Sequence, residues 1–344
     1  MSLVGRRRGT CAFLAIALTL ALGACSKDDK PAAKKSETPT PATTSPAPKK
    51  PAPRSPLTGL AFKGGPPKHP VYVVKIDNTA AANPQVGLNR ADIVVEELVE
   101  GGLTRLAALF YARTPKEIGP VRSMRATDIG IAKPTGGTLI ASGGASPTIR
   151  RIKAARVKVL SEDTGTVGLF TKDPNRRMPY NRILDLKDLS AKAKPAKVPH
   201  PYLPFSASDK FASKNKATAV TVSFGTTQQT RWAFGNGRWS RQNGLAAPGR
   251  DFKADNLLVL TVKIGDAGYV DAAGSPVPET IFQGKGKAQL YHDGRVVRAR
   301  WYKKGRSSAL SLKTLDGKSL AVPPGRTWIE LMPENTGSIT ITKR

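Results

Sequence analysis

Residues 71–78 read VYVVKIDN, and we expect the central sheet of this chain to begin there. The run is rich in β-branched residues and ends at an Asp-Asn pair, which is typical of a buried strand followed by a turn. We predict a strand over 71–76, with Asp77 and Asn78 at its carboxyl end. Polar side chains in that position are candidates for a functional site.

The segments that follow alternate between strand and helix patterns. Apolar runs at 91–99, 103–112 and 138–142 are each bounded by a glycine pair and are predicted to be strands. Short helices are predicted at 124–133, 147–155 and 184–193. Strands mixed with short helices indicate an α+β fold in which the N-terminal part, residues 56–200, is a mixed α/β domain.

After residue 200 the chain shows strand patterns alone. We predict a linker over 201–216 and a smaller, mainly antiparallel β domain over 217–344. The predicted strands lie at 217–224, 231–234, 238–241, 256–264, 288–292, 296–302, 309–314 and 327–332. Asp-Gly pairs at 293–294 and 316–317 predict hairpin turns between them. All four tryptophans lie in this half, as expected of a β core that needs large anchors.

The N-terminus has the pattern of a bacterial lipoprotein signal. A basic cluster at 6–8 precedes an apolar run at 11–22, and the segment ends Leu-Gly-Ala-Cys at Cys25. This order of charged, apolar and small residues is typical of a secretory signal, and the apolar run is short for a transmembrane helix. We predict a signal peptide over 1–24 and lipidation of Cys25, so that membrane lipid is a partner.

The segment 25–55 is predicted to be a disordered tether. It is rich in proline and lysine and has no aromatic residue, so it cannot bury enough apolar surface to offset the entropy of ordering. Once Cys25 carries lipid and Cys11 has left with the signal, no thiol remains for a disulfide, a zinc site or a nucleophile. The predicted localisation is extracytoplasmic, anchored by lipid to the cell membrane.

The charge of the chain points to anionic partners. The formal net charge is +30, and +23 remains on 56–344 after the leader arginines and the tether are set aside. Such a field attracts polyanions, although it can also serve solubility alone. For an exported protein the polyanions at hand are lipid headgroups and envelope polymers. No zinc-finger, RNP-type or helix-turn-helix pattern is present, so nucleic acid is not predicted as a partner.

The polar residues that suggest a site all lie in the first half. The candidate ligand-binding residues are Asp77, Asn78, Glu96, Glu100, Arg105, Arg122, Arg125 and Ser146. Charged residues inside apolar strands are costly unless they are paired, so one interpretation is an internal salt bridge, for example between Arg105 and Glu96 or Glu100.

The other interpretation is an anion site. Arg122 and Arg125 flank a turn that is predicted to open a helix, and arginines near helix N-termini bind anions. Ser146, which follows Gly143-Gly144 at a second predicted helix start, lies where backbone N–H groups could bind the same anion. Asp77 and Glu96 are the candidate catalytic carboxylates if the site performs chemistry.

The residues present restrict that chemistry. No Walker, G-x-S-x-G or H-E-x-x-H pattern is found, and the three histidines each lie beside proline or in a turn. Any reaction would have to use carboxylates, hydroxyls and arginines. No metal site and no cofactor are predicted, although a divalent cation is left open.

Several motifs in one order carry a resemblance to a known family. They are VKIDN at 74–78, NPQVGL at 83–88, ADIVVE at 91–96, VEGGLTR at 99–105, IGPVRS at 118–123, the segment 284–294 and PGRTWI at 324–329. Together they resemble the YerB-like bacterial lipoproteins over nearly all of 56–333. The resemblance implies a lipid-anchored, two-part extracytoplasmic protein. It implies no activity, because the family's domains are of unknown function.

The chain departs from that family at two places. The family often carries a histidine before a Gly-Gly-Ser-Pro turn and another in a Pro-His-Asn segment. Here Ser142 precedes the glycine pair and the second segment reads Pro179-Tyr180-Asn181. These departures weaken any transfer of an enzymatic role from the family.

Two hypotheses follow, and the sequence leaves open whether the protein is an enzyme. In the first, an envelope protein binds an anionic polymer or scaffolds a protein partner through a cleft lined by arginines and acids. In the second, a hydrolase or transferase acts on a phosphodiester or glycosidic linkage, with the arginines neutralising phosphate and Asp77 or Glu96 acting as base. The absence of histidine and cysteine chemistry favours the first.

Overall fold

A computed structural model of the chain describes residues 52–209, 211–271 and 274–343. The predicted signal peptide, the lipidated Cys25 and most of the predicted tether lie outside these residues. The described residues belong to one compact unit, and the folded part begins just before 56, since Arg54 bridges to Ala61 and Ser55 is buried.

The regular elements are numbered in chain order. The strands are β1 (Tyr72–Asp77), β2 (Ile93–Leu98), β3 (Thr104–Phe110), β4 (Thr138–Ile140), β5 (Val159–Leu160), β6 (Thr171–Lys172), β7 (Arg182–Ile183), β8 (Ala219–Ser223), β9 (Gln229–Gly235), β10 (Arg238–Arg241), β11 (Lys253–Ala254), β12 (Asn256–Val270), β13 (Pro276–Ile281), β14 (Gly284–His292), β15 (Arg295–Lys303), β16 (Ser311–Thr314), β17 (Thr327–Pro333) and β18 (Ser338–Thr342). The helices are α1 (Asp128–Ala132), α2 (Ser146–Ala154) and α3 (Leu186–Ala191), with short 3₁₀ turns at Ala80–Ala82, Leu88–Arg90, Glu100–Gly102, Lys133–Thr135 and Glu162–Thr164.

One large sheet runs through both halves of the chain. Its order is β16-β15-β14-β12-β17-β2-β3-β1-β4-β5, with β13 paired to β12. The pairs β12–β17, β17–β2, β1–β4 and β4–β5 are parallel, and the other pairs are antiparallel. The predicted α+β class is confirmed, with a mixed sheet in the N-terminal half and mainly antiparallel pairing in the C-terminal half.

Strand β17 joins the two halves. It lies between β12 and β2, and its Glu330 is directly opposite Glu96. The described residues of the predicted linker, 201–209 and 211–216, form no helix or strand element, and Tyr202 and Leu203 among them are buried in the core. The predicted domain boundaries stay a prediction. The large sheet contains strands from both sides of them.

The large sheet is covered on both faces, which explains why every residue of β1 is buried. On one face, α1 and α2 contribute apolar side chains such as Ile129 and Ile152 to the core. On the other face packs a second sheet of order β11-β10-β9-β8-β18. All four tryptophans are buried, and Trp232 meets Trp328 edge-on at 5.1 Å between ring centroids.

The predicted helices all form within the predicted segments or one residue from them. The β14–β15 hairpin has the expected two-residue turn, in which Asp293 and Gly294 both have positive φ, of 48° and 65°. Strands β13 and β18 were not predicted, and neither were the two-residue strands β5, β6, β7 and β11. No helix in the described ranges is long and apolar enough to cross a membrane.

Candidate functional site

A cavity of about 650 Å³ opens where β1 ends and β3 begins. Its lining residues include five of the predicted site residues and one aromatic residue that was not predicted. They are Asp77, Glu100, Arg105, Arg122, Arg125 and Tyr180. We call this the arginine cavity.

Strand alternation explains which residues reach the arginine cavity. Asp77 of β1 and Glu97 of β2 are both directly opposite Arg105 of β3, so the three share one face of the sheet. Glu96, one residue before Glu97, therefore points to the opposite face. The adjacent glutamates of β2 consequently belong to different environments.

Asp77 holds Arg122 in place. The Arg122 Nε lies 2.8 Å from Asp77 Oδ2, and the Asp77 side chain is 1% exposed. The other carboxylate oxygen, Oδ1, accepts hydrogen bonds from the backbone N–H and the hydroxyl of Thr79, at 2.7 and 2.6 Å. The Arg122 guanidinium also lies over the Tyr180 ring, 5.0 Å from its centroid. Both oxygens of Asp77 are thus engaged.

Glu100 holds Arg125 in a similar way. The Arg125 Nε and Nη2 donate to Glu100 Oε2 at 2.9 and 2.7 Å, and Nη1 donates to the Met124 carbonyl oxygen at 2.8 Å. The backbone N–H of Arg125 donates to Asp128, the first residue of α1, at 2.7 Å. Such a forked pair fixes the guanidinium plane as well as its charge.

Arg105 is the cation left without an acid. Among the residues that the structure describes, no carboxylate lies within 4.0 Å of its guanidinium nitrogens, and its Nη1 makes only a long contact of 3.4 Å with the Ser123 carbonyl oxygen. Burial lowers the pKa of Arg105 to about 10; the charges of Arg125 and Arg122 add to that effect, and those of Glu100 and Asp77 oppose it. An anion bound beside Arg105 would further favour its charged form.

The predicted ion pair of Arg105 with Glu96 or Glu100 is wrong. Glu100 is taken by Arg125, and Glu96 lies on the other face of the sheet. The reason is geometric, because a residue and its neighbour in a strand point to opposite faces.

Glu96 and Asn78 belong to a buried polar network instead. Asn78 Nδ2 donates to Glu96 Oε1 at 3.1 Å, and the Thr104 and Thr230 hydroxyls donate to the same carboxylate at 2.7 and 2.9 Å. Burial, followed by the proximity of Glu96, raises the pKa of Glu330 well above its usual value. Glu96, a candidate catalytic base, is thus fully buried and does not line the arginine cavity.

Asn78 also lines a smaller cleft of about 300 Å³ that adjoins the arginine cavity. Its side-chain oxygen lies 3.4 Å from Nη1 of Arg241, whose Nη2 donates to Gln85 and to Asp251, at 2.9 and 2.7 Å. Asn78 is therefore a neighbour of the predicted site rather than a residue of its wall.

Ser146 is the first residue of α2, as predicted, but it is exposed and does not line the arginine cavity. Its neighbour Ala145 does. The backbone N–H of Gly144, expected to be available to an anion, donates to the side chain of Asp163 at 3.0 Å. The glycine turn thus already has a carboxylate partner.

A second buried charge cluster lies behind the cavity. Lys75 forms ion pairs with Glu97 and with Asp128, the latter at 2.8 Å, and the side chains of all three are completely buried. Burial raises the pKa of Glu97, against the lowering effect of Lys75. This triad connects β1, β2 and the start of α1, and so fixes the segment that carries Arg122 and Arg125.

Three further lining residues come from a distant part of the chain. Tyr269, Asp271 and Ser275 lie on or beside the β12–β13 hairpin and form the wall opposite the arginines. Asp271 is tied into its own turn, where its Oδ1 accepts from the Ser275 N–H at 2.8 Å. Nothing in the local sequence signals their place, because it depends on the long-range pairing of the sheet.

Tyr180 was not among the predicted site residues. Its segment, Pro179-Tyr180-Asn181, is one of the two places where the chain departs from the pattern of the family it resembles, and that departure is the sequence signal that could have pointed to it. Across the described part of the chain, no group of three or more His, Cys, Asp or Glu residues is arranged to hold a metal ion.

Two family descriptions match the chain. Residues 57–199 match the family described as "Protein of unknown function (DUF3048) N-terminal domain", and residues 219–329 match its C-terminal domain. The chain is 26% identical over 276 residues to a Bacillus subtilis (strain 168) protein named "Putative lipoprotein YerB", covering 78% of this chain and 82% of the relative.

The same relative supplies a structural comparison. A crystal structure of the YerB protein from Bacillus subtilis superposes with a TM-score of 0.69 at 23% sequence identity, covering 83% of this chain and 99% of that chain. The two proteins therefore share a fold.

Proposed function

We propose that this chain, which belongs to the DUF3048 family of proteins of unknown function, binds an anionic component of the cell envelope in the arginine cavity. The observation that carries the proposal is the state of Arg105. Its guanidinium lines the cavity and has no acidic partner among the described residues, while its two neighbouring arginines are each held by one.

The location rests on the leader and on the relative. Leu22-Gly23-Ala24-Cys25 follows the apolar run, and the similar Bacillus subtilis protein is named a lipoprotein. We infer that Cys25 carries lipid, that membrane lipid is therefore one partner, and that the folded part is extracytoplasmic. Envelope polymers and envelope proteins are then the components within reach of the cavity.

The geometry favours a carboxylate or phosphate group as the ligand. Asp77 and Glu100 fix Arg122 and Arg125, so those guanidiniums need not be ordered when a ligand arrives. Arg105 presents a planar fork that matches two oxygens of such a group. Charge-assisted hydrogen bonds of this kind contribute about 1.5–3 kcal/mol each.

The same contacts support binding over turnover. A general base must be free to take a proton. Both oxygens of Asp77 are engaged by Arg122 and Thr79, and Glu96 is buried outside the cavity. Turnover assays with the parent chain and with Asp77→Asn separate the two hypotheses. The binding proposal expects no turnover of an envelope polymer by either chain, whereas a catalytic Asp77 requires turnover by the parent that Asp77→Asn loses.

Thermal unfolding of the full-length chain in phosphate and in chloride of equal ionic strength tests the proposal. We expect phosphate to raise the Tm of the parent chain and to have little effect on Arg105→Met. Arg90→Met is the matched control, because Arg90 is exposed and lies outside the cavity. Equal phosphate shifts in the two variants would refute a specific role for Arg105.

A further inference from the structure

A row of three cations crosses the outer strands of the large sheet. Lys287 of β14 is directly opposite Arg300 of β15, and Arg300 is directly opposite Lys313 of β16. Since side chains alternate along a strand, Lys285 and Arg298 lie on the same face as this row. All five side chains belong to exposed residues. We call these five residues the basic ladder.

The basic ladder has no acidic partners. Within residues 52–209, 211–271 and 274–343, none of its five members forms an ion pair; Lys313 lies over the Tyr302 ring, 5.7 Å from the centroid. Like charges directly opposite each other destabilise a pair of strands. Keeping three cations directly opposite one another therefore destabilises these strands. A bound anion would remove that electrostatic cost.

A groove runs beside the basic ladder. It consists of two adjoining cavities of about 560 and 580 Å³, which share Arg298 and Leu315. The strand β18 forms the opposite wall through Ile339 and Ile341. The other charged residues that line the groove are Lys214, Lys343, Glu334 and Asp316. Asp316 already forms an ion pair with Lys318, at 3.1 Å. Of the basic ladder, Lys287, Arg298 and Arg300 line the groove itself, so five cations face two carboxylates and the net charge of the groove is positive.

We propose that this groove binds a linear polymer that carries phosphate groups along its length. Neighbouring strands lie about 4.8 Å apart, so the row from Lys287 to Lys313 spans roughly 10 Å, which is more than one phosphate can cover. The two cavities adjoin at Arg298 and Leu315, which suits an extended chain, and they are concave, which does not suit the flat surface of a membrane. Lysine and arginine together are the usual partners of backbone phosphates.

This site is separate from the arginine cavity. The two share no lining residue, and the basic ladder lies at the other end of the sheet order, on β14, β15 and β16. The proposal therefore does not depend on the role of Arg105. It assigns to the C-terminal half of the chain a binding surface of its own.

Binding of fluorescently labelled inorganic polyphosphate to the full-length chain tests the proposal. We expect Lys287→Gln combined with Arg300→Gln to weaken binding about tenfold or more, because two phosphate contacts are lost. Lys63→Gln combined with Lys68→Gln removes the same charge from exposed positions elsewhere and should change binding less than about twofold. The ladder-dependent part of polyphosphate binding should be the same in the Arg105→Met background, because the groove and the arginine cavity share no lining residue.

The Tm provides the folding control. The ladder variant should unfold at the same temperature as the parent or higher, because it removes like-charge repulsion. Equal weakening by the two double variants would overturn the proposal, since only the overall charge would then matter. So would equally strong, ladder-dependent binding to polyglutamate or to vesicles of anionic phospholipid, because phosphate on a linear polymer would not be what is recognised.

Discussion

Asp77 and Arg105 are directly opposite each other in the β1–β3 pair, yet they form no ion pair. Asp77 directs its carboxylate to Arg122 at 2.8 Å, and the one hydrogen bond of the Arg105 side chain within the described ranges is a long contact of 3.4 Å to a carbonyl oxygen. The arrangement keeps one guanidinium unneutralised at the wall of a cavity of about 650 Å³. Two charges that could have cancelled are thus kept apart.

This separation predicts opposite effects of two similar substitutions on stability. Arg105→Met should leave the free energy of unfolding unchanged or raise it, because burial and two neighbouring arginines already disfavour the charged form of Arg105. Arg122→Met should lower it by about 1–3 kcal/mol, because the buried Asp77 then loses its cation. Urea unfolding at neutral pH measures both, and the reverse order would contradict the account.

The triad behind the cavity predicts a larger loss. Lys75→Met should reduce the free energy of unfolding by about 3–5 kcal/mol, because it leaves Glu97 and Asp128 buried without their cation. Lys158→Met is the control, since Lys158 is exposed, and it should stay within about 0.5 kcal/mol of the parent. A small effect of Lys75→Met would show that the triad does not hold the segment that carries Arg122 and Arg125 in place.

Glu330 predicts a pH dependence of stability. Its raised pKa means that the folded state keeps a proton that the unfolded chain releases near pH 4.3, so its contribution is full at low pH and is lost as pH rises. The slope is at most about 1.4 kcal/mol per pH unit. Glu330→Gln keeps an acceptor for Trp232 Nε1, which donates to Glu330 at 2.8 Å, and should flatten that slope.

Urea unfolding at pH 5 and pH 8 measures the effect of Glu330→Gln. The variant should gain stability relative to the parent chain at the higher pH. Glu334→Gln removes an exposed carboxylate nearby in sequence and should leave the pH dependence as it is. The same slope in the parent and in Glu330→Gln would mean that Glu330 is ionised in the folded protein.

We expect a side chain at Gly87, near the strands that carry the site, to strain the backbone. Its φ is +77°, and a Cβ there would meet the backbone carbonyl oxygen of Glu117. Gly87→Ala should therefore cost more than about 2 kcal/mol of stability. Gly136 has a similar φ of +60° with open space around it, so Gly136→Ala should cost only about 1 kcal/mol. Equal costs at the two positions would refute the steric argument.

The sequence identifies the strands of the N-terminal half because their apolar runs are long and bounded by glycine. It also places Asp77, Glu100 and three arginines near one another, through strand ends and loops that fold locally. It could not assign Glu96 and Glu97 to their faces. That assignment depends on β17, a strand more than two hundred residues later that pairs with β2.

The unpredicted features have similar causes. Strand β13 begins Pro-Val-Pro, and two prolines within six residues hide a strand that forms only as the partner of β12. Its hairpin completes the cavity wall, so Tyr269 and Asp271 could not be placed there beforehand. The basic ladder is likewise visible only in the register of three strands, since its members belong to three separate strands and are brought together by their pairing.

Calorimetric titration of inorganic phosphate into the full-length chain tests the central claim most directly. The chain should carry Lys287→Gln and Arg300→Gln, so that binding to the basic ladder is reduced. We expect saturable binding at one site that persists in high chloride and disappears when Arg105→Met is added. Binding that is unchanged by Arg105→Met, or that vanishes with salt in both chains, would contradict the claim that Arg105 serves an anion site.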